Sequence, residues 1–194
     1  MRVLGLAGSP RRGGNTDLLL SEVMRGAASR GAEVKTIILS QLNIAPCQHC
    51  DACLETGQCQ VKDDMQMIYD ELERADRVVL ASPVHFMGVT AQTKAMIDRC
   101  QALWVRKYVL KQPPLSDRRE RKGLFISVGG MKLVNLFEPA LATVKALFKV
   151  LDIAYAGELL FPGVDEKGAI TKHPEALKQA FLAGQRLVED SPSG

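Results

Sequence analysis

The sequence predicts an α/β protein with a parallel sheet and helices on both of its faces. Short apolar runs alternate with amphipathic stretches along the chain, and no internal repeat or long linker interrupts this pattern. The runs are continuously apolar, which is typical of strands that are covered on both faces. Strands that alternate with helices predict βαβ units and therefore a parallel sheet.

Five strands are expected in this order along the chain: 2–7, 33–39, 76–81, 123–128 and 154–160. Residues spaced three and four apart share one face of a helix. The inward helical stripes are Leu19, Val23, Gly26 and Ala27; Met96, Cys100 and Leu103; Ala140, Val144, Leu147 and Leu151; and Leu177, Phe181, Gly184 and Val188. Thr90 is expected to cap one helix, and Pro174 suits the first turn of the last.

Length and composition favour a soluble protein with one domain. The chain has 194 residues, 46% of them apolar, and a formal net charge of +3. Because domains commonly contain roughly 100–200 residues, a single domain over 1–190 is expected. The small charge favours neither nucleic acid nor membrane binding, and no apolar run reaches the ~20 residues that span a bilayer. The chain enters a strand directly, so we expect no signal peptide and a cytoplasmic location.

The segment 8–16 connects the first strand to the first helix and predicts a phosphate site. N–H groups at a helix start favour an anion, and Gly13 and Gly14 let the backbone curl around it. The segment lacks both the triphosphate-loop ending and the dinucleotide glycine spacing, so we favour a phosphate monoester. The expected ligands are Ser9, Arg11, Asn15 and Thr16, the last two also being possible helix caps. An ordinary glycine-rich turn is the alternative.

Two further loops are expected at the same edge, because ligands of open α/β sheets bind beyond the carboxyl ends of the strands. Pro83 stiffens the loop 82–88, whose large side chains suit a flat aromatic ligand. Gly129 and Gly130 begin the next loop and permit close approach to the backbone. A phosphate loop, an apolar wall and a glycine-rich loop together predict an FMN site, although each loop alone also fits an ordinary turn.

Four of the five cysteines lie in one 13-residue window, the loop 47–59. They have the spacing C-x2-C-x2-C-x5-C and are Cys47, Cys50, Cys53 and Cys59. A compact group of this kind is typical of a 4Fe–4S cluster; zinc is the alternative, although four-cysteine zinc sites more often use two separated pairs. An unmetallated loop would be prone to oxidation. We expect the loop at the same sheet edge as the phosphate site, with His49 facing outward and Cys100 in the core.

The segment 106–122 is basic, with lysine or arginine at positions 106, 107, 111, 118, 119, 121 and 122. The 2′-phosphate of a nicotinamide cofactor and an acidic protein are two partners for such a segment. It follows a helix that returns to the amino edge of the sheet, away from the predicted flavin. A solvated loop with favourable charges at a helix C-terminus is therefore the preferred interpretation.

Three parts of the chain together resemble the iron–sulfur flavoproteins, a branch of the NADPH-dependent FMN reductase-like proteins with the flavodoxin fold. They are Gly8-Ser9-Pro10-Arg11 with Gly14-Asn15-Thr16; the cysteine run followed by Asp63-Asp64-Met65; and Ser82-Pro83-Val84 with Lys94 and Ile97-Asp98-Arg99. The cysteine run is the specific element, because the wider reductase family shares the other two.

This resemblance implies a three-layer α/β/α sandwich with strand order 2-1-3-4-5, bound FMN, and a 4Fe–4S cluster on the four cysteines. The implied FMN-binding residues are Ser9, Arg11, Asn15, Thr16, Pro83, Val84, His85, Phe86, Gly88, Gly129 and Gly130. It also implies a homodimer or homotetramer in which subunits complete the flavin site. Many relatives have tyrosine where this chain has His85.

A flavin exchanges electrons in pairs or singly and a cluster exchanges them singly, so the two together suit coupling between one- and two-electron carriers. The first hypothesis is electron transfer between a ferredoxin-like donor and a small-molecule acceptor. The second is NAD(P)H-dependent reduction of FMN, quinones or nitro compounds without a functional cluster. The third is a non-enzymatic metal-binding or redox-sensing module. The sequence shows no obvious catalytic acid–base pair, and coupling between one- and two-electron carriers requires none.

Overall fold

A five-stranded parallel sheet forms the centre of the computed structural model, which describes residues 1–117 and 119–189. The strands are β1 Arg2–Ala7, β2 Glu33–Ile38, β3 Arg77–Ala81, β4 Arg121–Gly129 and β5 Ile153–Pro162, in the order β2-β1-β3-β4-β5. Every neighbouring pair is parallel. The predicted flavodoxin-like order is therefore confirmed. Position 190, the expected end of the domain, and Arg118 of the basic segment lie outside the described residues.

Helices cover both faces of the sheet and complete the three layers. Within the described ranges they are α1 Asn15–Ala28, α2 Met65–Arg74, α3 Ala91–Arg99, α4 Gln101–Tyr108, α5 Glu138–Val150 and α6 Pro174–Val188. One apolar core lies under α1 and α6, and the other lies under α2 to α5. The helices α1 and α6 are in close contact, because a Cβ at Gly26 would stand 2.0 Å from the Phe181 carbonyl oxygen.

The third and fourth helices replace the single helix that the stripe Met96, Cys100 and Leu103 predicted. All three residues are buried as expected. The helix is interrupted because the Tyr69 hydroxyl donates a 2.5 Å hydrogen bond to the Arg99 carbonyl, which a continuous helix would pair with the Leu103 N–H. The Leu103 N–H instead donates to the Cys100 carbonyl at 2.9 Å, and Cys100 separates the two helices.

The predicted inward face of α6 is confirmed at Gly184, whereas the other predicted positions lie one residue after the buried ones. Its buried residues are Ala176, Ala180, Ala183, Gly184 and Leu187, whereas Leu177, Phe181 and Val188 are only half-buried. Small side chains face α1 because the two helix backbones approach so closely. The Phe181 ring lies at the border of this contact, where the Arg25 guanidinium stacks over it at 4.5 Å.

The basic segment contributes to the amino edge of the sheet, so its interpretation as a solvated loop is wrong for Arg121. This side chain is buried at the start of β4 and donates to the carbonyl oxygens of Ala75 and Glu73 at 3.0 Å. Arg119 forms an ion pair with Asp76 at 2.8 Å. These contacts connect the start of β4 to the residues just before β3. None of the helices in the described part of the chain is long and apolar enough to cross a bilayer.

Candidate functional site

A cleft at the carboxyl edge of the sheet collects residues from four loops. The residues that line it are Ser9, Pro10, Arg11, Gly14, Asn15, Thr16, Pro83, Val84, His85, Val128, Gly129, Gly130, Val164, Asp165 and Lys167. Nine of the eleven residues that the sequence assigned to FMN are among them. The two exceptions are Phe86 and Gly88.

The first turn of α1 lies against the cleft and carries no side-chain cap. Asn15 and Thr16 are its first two residues, so the prediction that one of them caps the helix is wrong; the N-cap is Gly14. The preceding Gly13 has a φ of +63°, which turns the loop back on itself. The N–H groups at this helix start are therefore available to an anion in the cleft. Ser9 stiffens the loop, because its hydroxyl accepts the Arg11 N–H at 3.1 Å.

The Asn15 side chain hydrogen-bonds to the segment that follows β5, which was not predicted to belong to the site. Its side-chain amide donates to the Glu166 carbonyl at 2.9 Å and accepts the Ile170 N–H at 3.1 Å. The Arg11 guanidinium also reaches this segment and donates to the Asp165 carbonyl at 3.4 Å. Asn15 therefore positions a fourth wall of the cleft. The signal that could have found this wall is its place after β5, because every loop that follows a parallel strand opens at the same edge.

Two charged side chains in or beside this part of the cleft were also missed. Lys167 lines the cleft, and its Cε lies 4.0 Å from the position of a Cβ on Gly13. Asp17 accepts the Gly13 N–H at 2.9 Å, and its Oδ1 is buried without a hydrogen-bond partner among the described residues. Burial raises the pKa of Asp17 above its ordinary value, although the Gly13 N–H and Arg12 oppose the change. An acidic and a basic side chain, Asp17 and Lys167, thus both lie close to Gly13 of the phosphate loop.

The loop after β3 ends in a tight two-residue hairpin, which explains why two predicted residues are absent from the cleft. His85 and Gly88 exchange backbone hydrogen bonds of 2.9 and 3.0 Å. Phe86 and Met87 form the turn with φ values of 48° and 64°. Left-handed backbone costs a residue with a Cβ about 1–2 kcal/mol. The Phe86 side chain is fully exposed, and neither Phe86 nor Gly88 lines the cleft, whereas Pro83, Val84 and His85 do.

The cysteine loop forms a second site. Cys47, Cys50, Cys53 and Cys59 line one cavity, together with residues of the α3–α4 junction that include Arg99, Ala102 and Val105. All four are free thiols, and the Gln60 amide donates to the Cys50 sulfur at 3.3 Å. Burial raises the pKa of the Cys53 thiol, and the neighbouring cysteines raise it further. No three or more histidine, cysteine or acidic side chains in residues 1–117 and 119–189 are arranged to hold a metal ion.

The two sites lie at opposite ends of α3. Thr90, its N-cap, hydrogen-bonds the Gly8 carbonyl beside the cleft, whereas Arg99, its last residue, lines the cysteine cavity. Nine helical residues span about 13 Å at 1.5 Å per residue. The two sites are therefore separated along α3 within one chain, and their location at one sheet edge stays a prediction. As expected, His49 faces outward and Cys100 is buried.

Comparison with known proteins identifies the family. The model of the NADPH-dependent FMN reductase family matches residues 1–157. The chain belongs to this family. The resemblance to iron–sulfur flavoproteins is also confirmed: the chain is 40% identical to the "Iron-sulfur flavoprotein" of Archaeoglobus fulgidus over 131 residues, which cover 68% of this chain and 63% of the relative.

A second relative agrees with this family assignment, and a solved structure agrees with the fold. An "Iron-sulfur flavoprotein" of Methanosarcina thermophila is 34% identical over 68% of this chain and 65% of its own length. This FMN reductase family member therefore spans slightly less than two thirds of either relative. A solved "flavone reductase" has a TM-score of 0.73 at 22% identity, with coverage of 96% of this chain and 62% of that chain, and supports the fold alone.

The cleft of this FMN reductase family member fits FMN. It offers an uncapped helix start for a phosphate, and side-chain and glycine backbone surfaces for a ring. The chemistry of the cysteine site fits an anionic, thiolate-bound centre, because four thiols surround a cavity that also contains the Arg99 guanidinium. Lys167 lies beyond the part of the chain that the family model matches.

Proposed function

We propose that this chain is an FMN-dependent oxidoreductase whose cysteines bind a 4Fe–4S cluster, and that it couples one-electron to two-electron carriers. The observation that carries the proposal is the convergence of the segments 9–16, 83–85 and 129–130 in one cleft. Donors of the appropriate kinds are NAD(P)H and a ferredoxin-like protein, and the acceptor is a small molecule. We also propose a single domain over residues 1–190.

The cleft residues would bind and orient FMN. Ser9, Thr16 and the first-turn N–H groups of α1 would hold the phosphate, with positive charge from Arg11 and Lys167. The segments 83–85 and 129–130 would flank the ring. Bound FMN supplies hydride transfer or single-electron transfer, and the protein sets its orientation and potential.

The four cysteines would bind the cluster, which supplies one-electron transfer. Thiolate ligation of this kind is supported by the compact spacing and by the shared cavity of Cys47, Cys50, Cys53 and Cys59. Free thiols also suit a reducing compartment, so we propose a cytoplasmic location. Zinc is the alternative metal.

We further propose a homodimer or homotetramer. Large apolar side chains project from the loops that follow β3 and β4, and the exposed ones are Phe86, Met131, Leu133 and Val134. Clusters of exposed apolar side chains on loops of a folded protein are typical of contact surfaces. A second subunit on these loops would cover them and close the cleft.

The second candidate function is NAD(P)H-dependent reduction of FMN, a quinone or a nitro compound without a cluster. The absence of an arranged metal-binding group among the described residues favours it, as does membership in the FMN reductase family. In this case the cysteine loop has only a structural role.

Protein purified without oxygen distinguishes these functions. The proposal predicts one FMN, four iron and four sulfide per chain, with a visible spectrum that contains both chromophores. FMN without iron, combined with fast flavin reduction by NADPH, would select the second function. Stoichiometric zinc would show that the cysteines bind zinc instead of a cluster. Protein that binds no FMN would overturn both functions.

A further inference from the structure

Arg99 is a fully buried arginine at the base of the cysteine loop. It is the last residue of α3 and only 1% of it is exposed. The Tyr69 hydroxyl fixes its backbone by the 2.5 Å hydrogen bond to the Arg99 carbonyl. Isolated buried charges are unfavourable unless they are paired and hydrogen-bonded, so the partners of this guanidinium reveal its role.

The terminal nitrogens of Arg99 hold both ends of the cysteine loop. Nη1 donates to the Ala45 carbonyl at 2.9 Å, two residues before the first cysteine. Nη2 donates to the Val61 carbonyl at 3.1 Å, two residues after the last cysteine. Both nitrogens also contact the Asp63 carboxylate, at 2.6 and 3.2 Å. Asp63 in turn accepts the Ala45 N–H at 2.9 Å, so the same ion pair connects both stems.

The third nitrogen of the Arg99 guanidinium is Nε. Nε is buried and makes no hydrogen bond to the described residues, and the side chain lines the cysteine cavity. Burial by itself would lower the Arg99 pKa, but interactions with Asp63 and the Cys59 side chain raise it above its ordinary value. The guanidinium is therefore a permanent cation beside Cys59. A buried N–H without a partner among the described residues, on a side chain that lines a cavity with four cysteines, fits a sulfur acceptor.

We propose that Arg99 is the positioning residue of the cysteine site. Its guanidinium closes the cysteine loop through Ala45, Val61 and Asp63, and its Nε–H points toward the Cys59 sulfur. Closure of the stems does not require a metal. The role of the Nε–H beside Cys59 rests on the proposed function, because it concerns a bound cluster. Hydrogen bonds to the sulfurs and nearby charge tune cluster potentials. Asp63 offsets much of the Arg99 charge, so the Nε–H donor has the larger influence on the cluster potential. This donor favours the reduced cluster.

The test compares Arg99→Gln and Arg99→Lys with a matched control, Arg121→Gln. Arg121 is another buried arginine that binds carbonyl oxygens and an aspartate, but it lies at the amino edge of the sheet. Metal-free protein is digested with a glutamate-specific protease, and cleavage after Glu55 in the cysteine loop is timed. We expect at least fivefold faster cleavage in Arg99→Gln, a smaller increase in Arg99→Lys, and no increase in Arg121→Gln at a temperature where all variants are folded.

The cluster readout uses anaerobic reconstitution followed by iron analysis and redox titration. Arg99→Gln should bind less iron, and the cluster that it retains should be about tenfold harder to reduce, which is about 59 mV for one electron. Arg99→Lys keeps the charge and should fall between wild type and Arg99→Gln. Arg121→Gln should keep the wild-type iron content and potential.

The outcomes separate this proposal from the proposed function. Wild-type cleavage and wild-type potential in Arg99→Gln would overturn it, and equal effects in Arg99→Gln and Arg121→Gln would reduce Arg99 to a source of general stability. Wild-type protein that takes up no iron would overturn the cluster and the potential effect. The protease result would then still decide whether Arg99 closes the loop.

Discussion

The Thr90 hydroxyl donates a 2.6 Å hydrogen bond to the Gly8 carbonyl oxygen, which fastens the loop after β3 to the phosphate loop. The same hydroxyl accepts the Thr93 N–H at 3.3 Å and so caps α3 as the sequence predicts. The contact is tight, because a Cβ at Gly8 would stand 2.0 Å from the Thr93 hydroxyl oxygen. One buried threonine therefore sets the spacing between two walls of the cleft.

Thr90→Val should lower the free energy of unfolding by about 2 kcal/mol, because it removes a helix cap and leaves the buried Gly8 carbonyl unpaired. FMN affinity should fall with it, since the two loops lose their connection. Urea unfolding and fluorescence titration with FMN measure the two effects. Thr143→Val is the control, because the Thr143 hydroxyl is exposed and donates to the Pro139 carbonyl within its own helix. Equal unfolding midpoints for both variants would contradict the prediction.

Lys167→Met should weaken FMN binding about tenfold and leave riboflavin binding unchanged. The reason is that Lys167 lines the cleft close to Gly13 of the phosphate loop, so its charge acts on the phosphate that riboflavin lacks. The difference between the two ligands should shrink as salt is added, because Lys167 is exposed and exposed charges are screened. Lys172→Met, which removes an exposed lysine outside the cleft, is the control. Equal losses for both ligands would assign Lys167 to the shape of the loop instead.

The sequence predicted the sheet well and the cleft in part. Continuous apolar runs determined all five strands to within two residues of their ends, and the parallel order brought the segments 9–16, 83–85 and 129–130 together. The position of Phe86 could not be predicted, because it depends on a two-residue turn held by hydrogen bonds between His85 and Gly88. The role of Asn15 depends on Glu166 and Ile170, about 150 residues away along the chain.

The position of the cysteine loop was the least predictable part of the site. Its spacing indicates the ligand chemistry but contains no apolar periodicity that would say which surface it covers. Contacts from Arg99 to Val61 and Asp63 determine its position against the α3–α4 junction. The helix break at this junction depends in turn on Tyr69, which lies on a different helix.

Phe86→Gly should be about 0.5–1 kcal/mol more stable than Phe86→Ala. Both variants remove an exposed ring that makes no core contact. Only glycine relieves the left-handed backbone at a φ of 48°, which outweighs its greater freedom in the unfolded chain. Paired urea unfolding curves measure the difference. Identical curves would mean that the turn relaxes when the ring is lost. If the exposed ring contacts a second subunit, both variants should also shift the protein toward monomer in analytical ultracentrifugation.

Stability at alkaline pH should report on Cys100. Burial raises the pKa of this thiol from its ordinary value of 9.0 to about 12, an effect that Arg99 only partly opposes. The fold therefore requires the neutral thiol, whereas the unfolded chain ionises it. The contribution of the neutral Cys100 thiol to the free energy of unfolding is fully present below pH 9 and is lost as the pH rises toward 12. For metal-free protein, the linkage amounts to about 1.4 kcal/mol between pH 8 and pH 10. Cys100→Ala lacks this linkage but shares every other titrating group. The free energy of unfolding of the wild type should therefore fall by about 1.4 kcal/mol more than that of the variant over this interval. Parallel pH profiles for the two proteins would show that the thiolate is accommodated inside the fold.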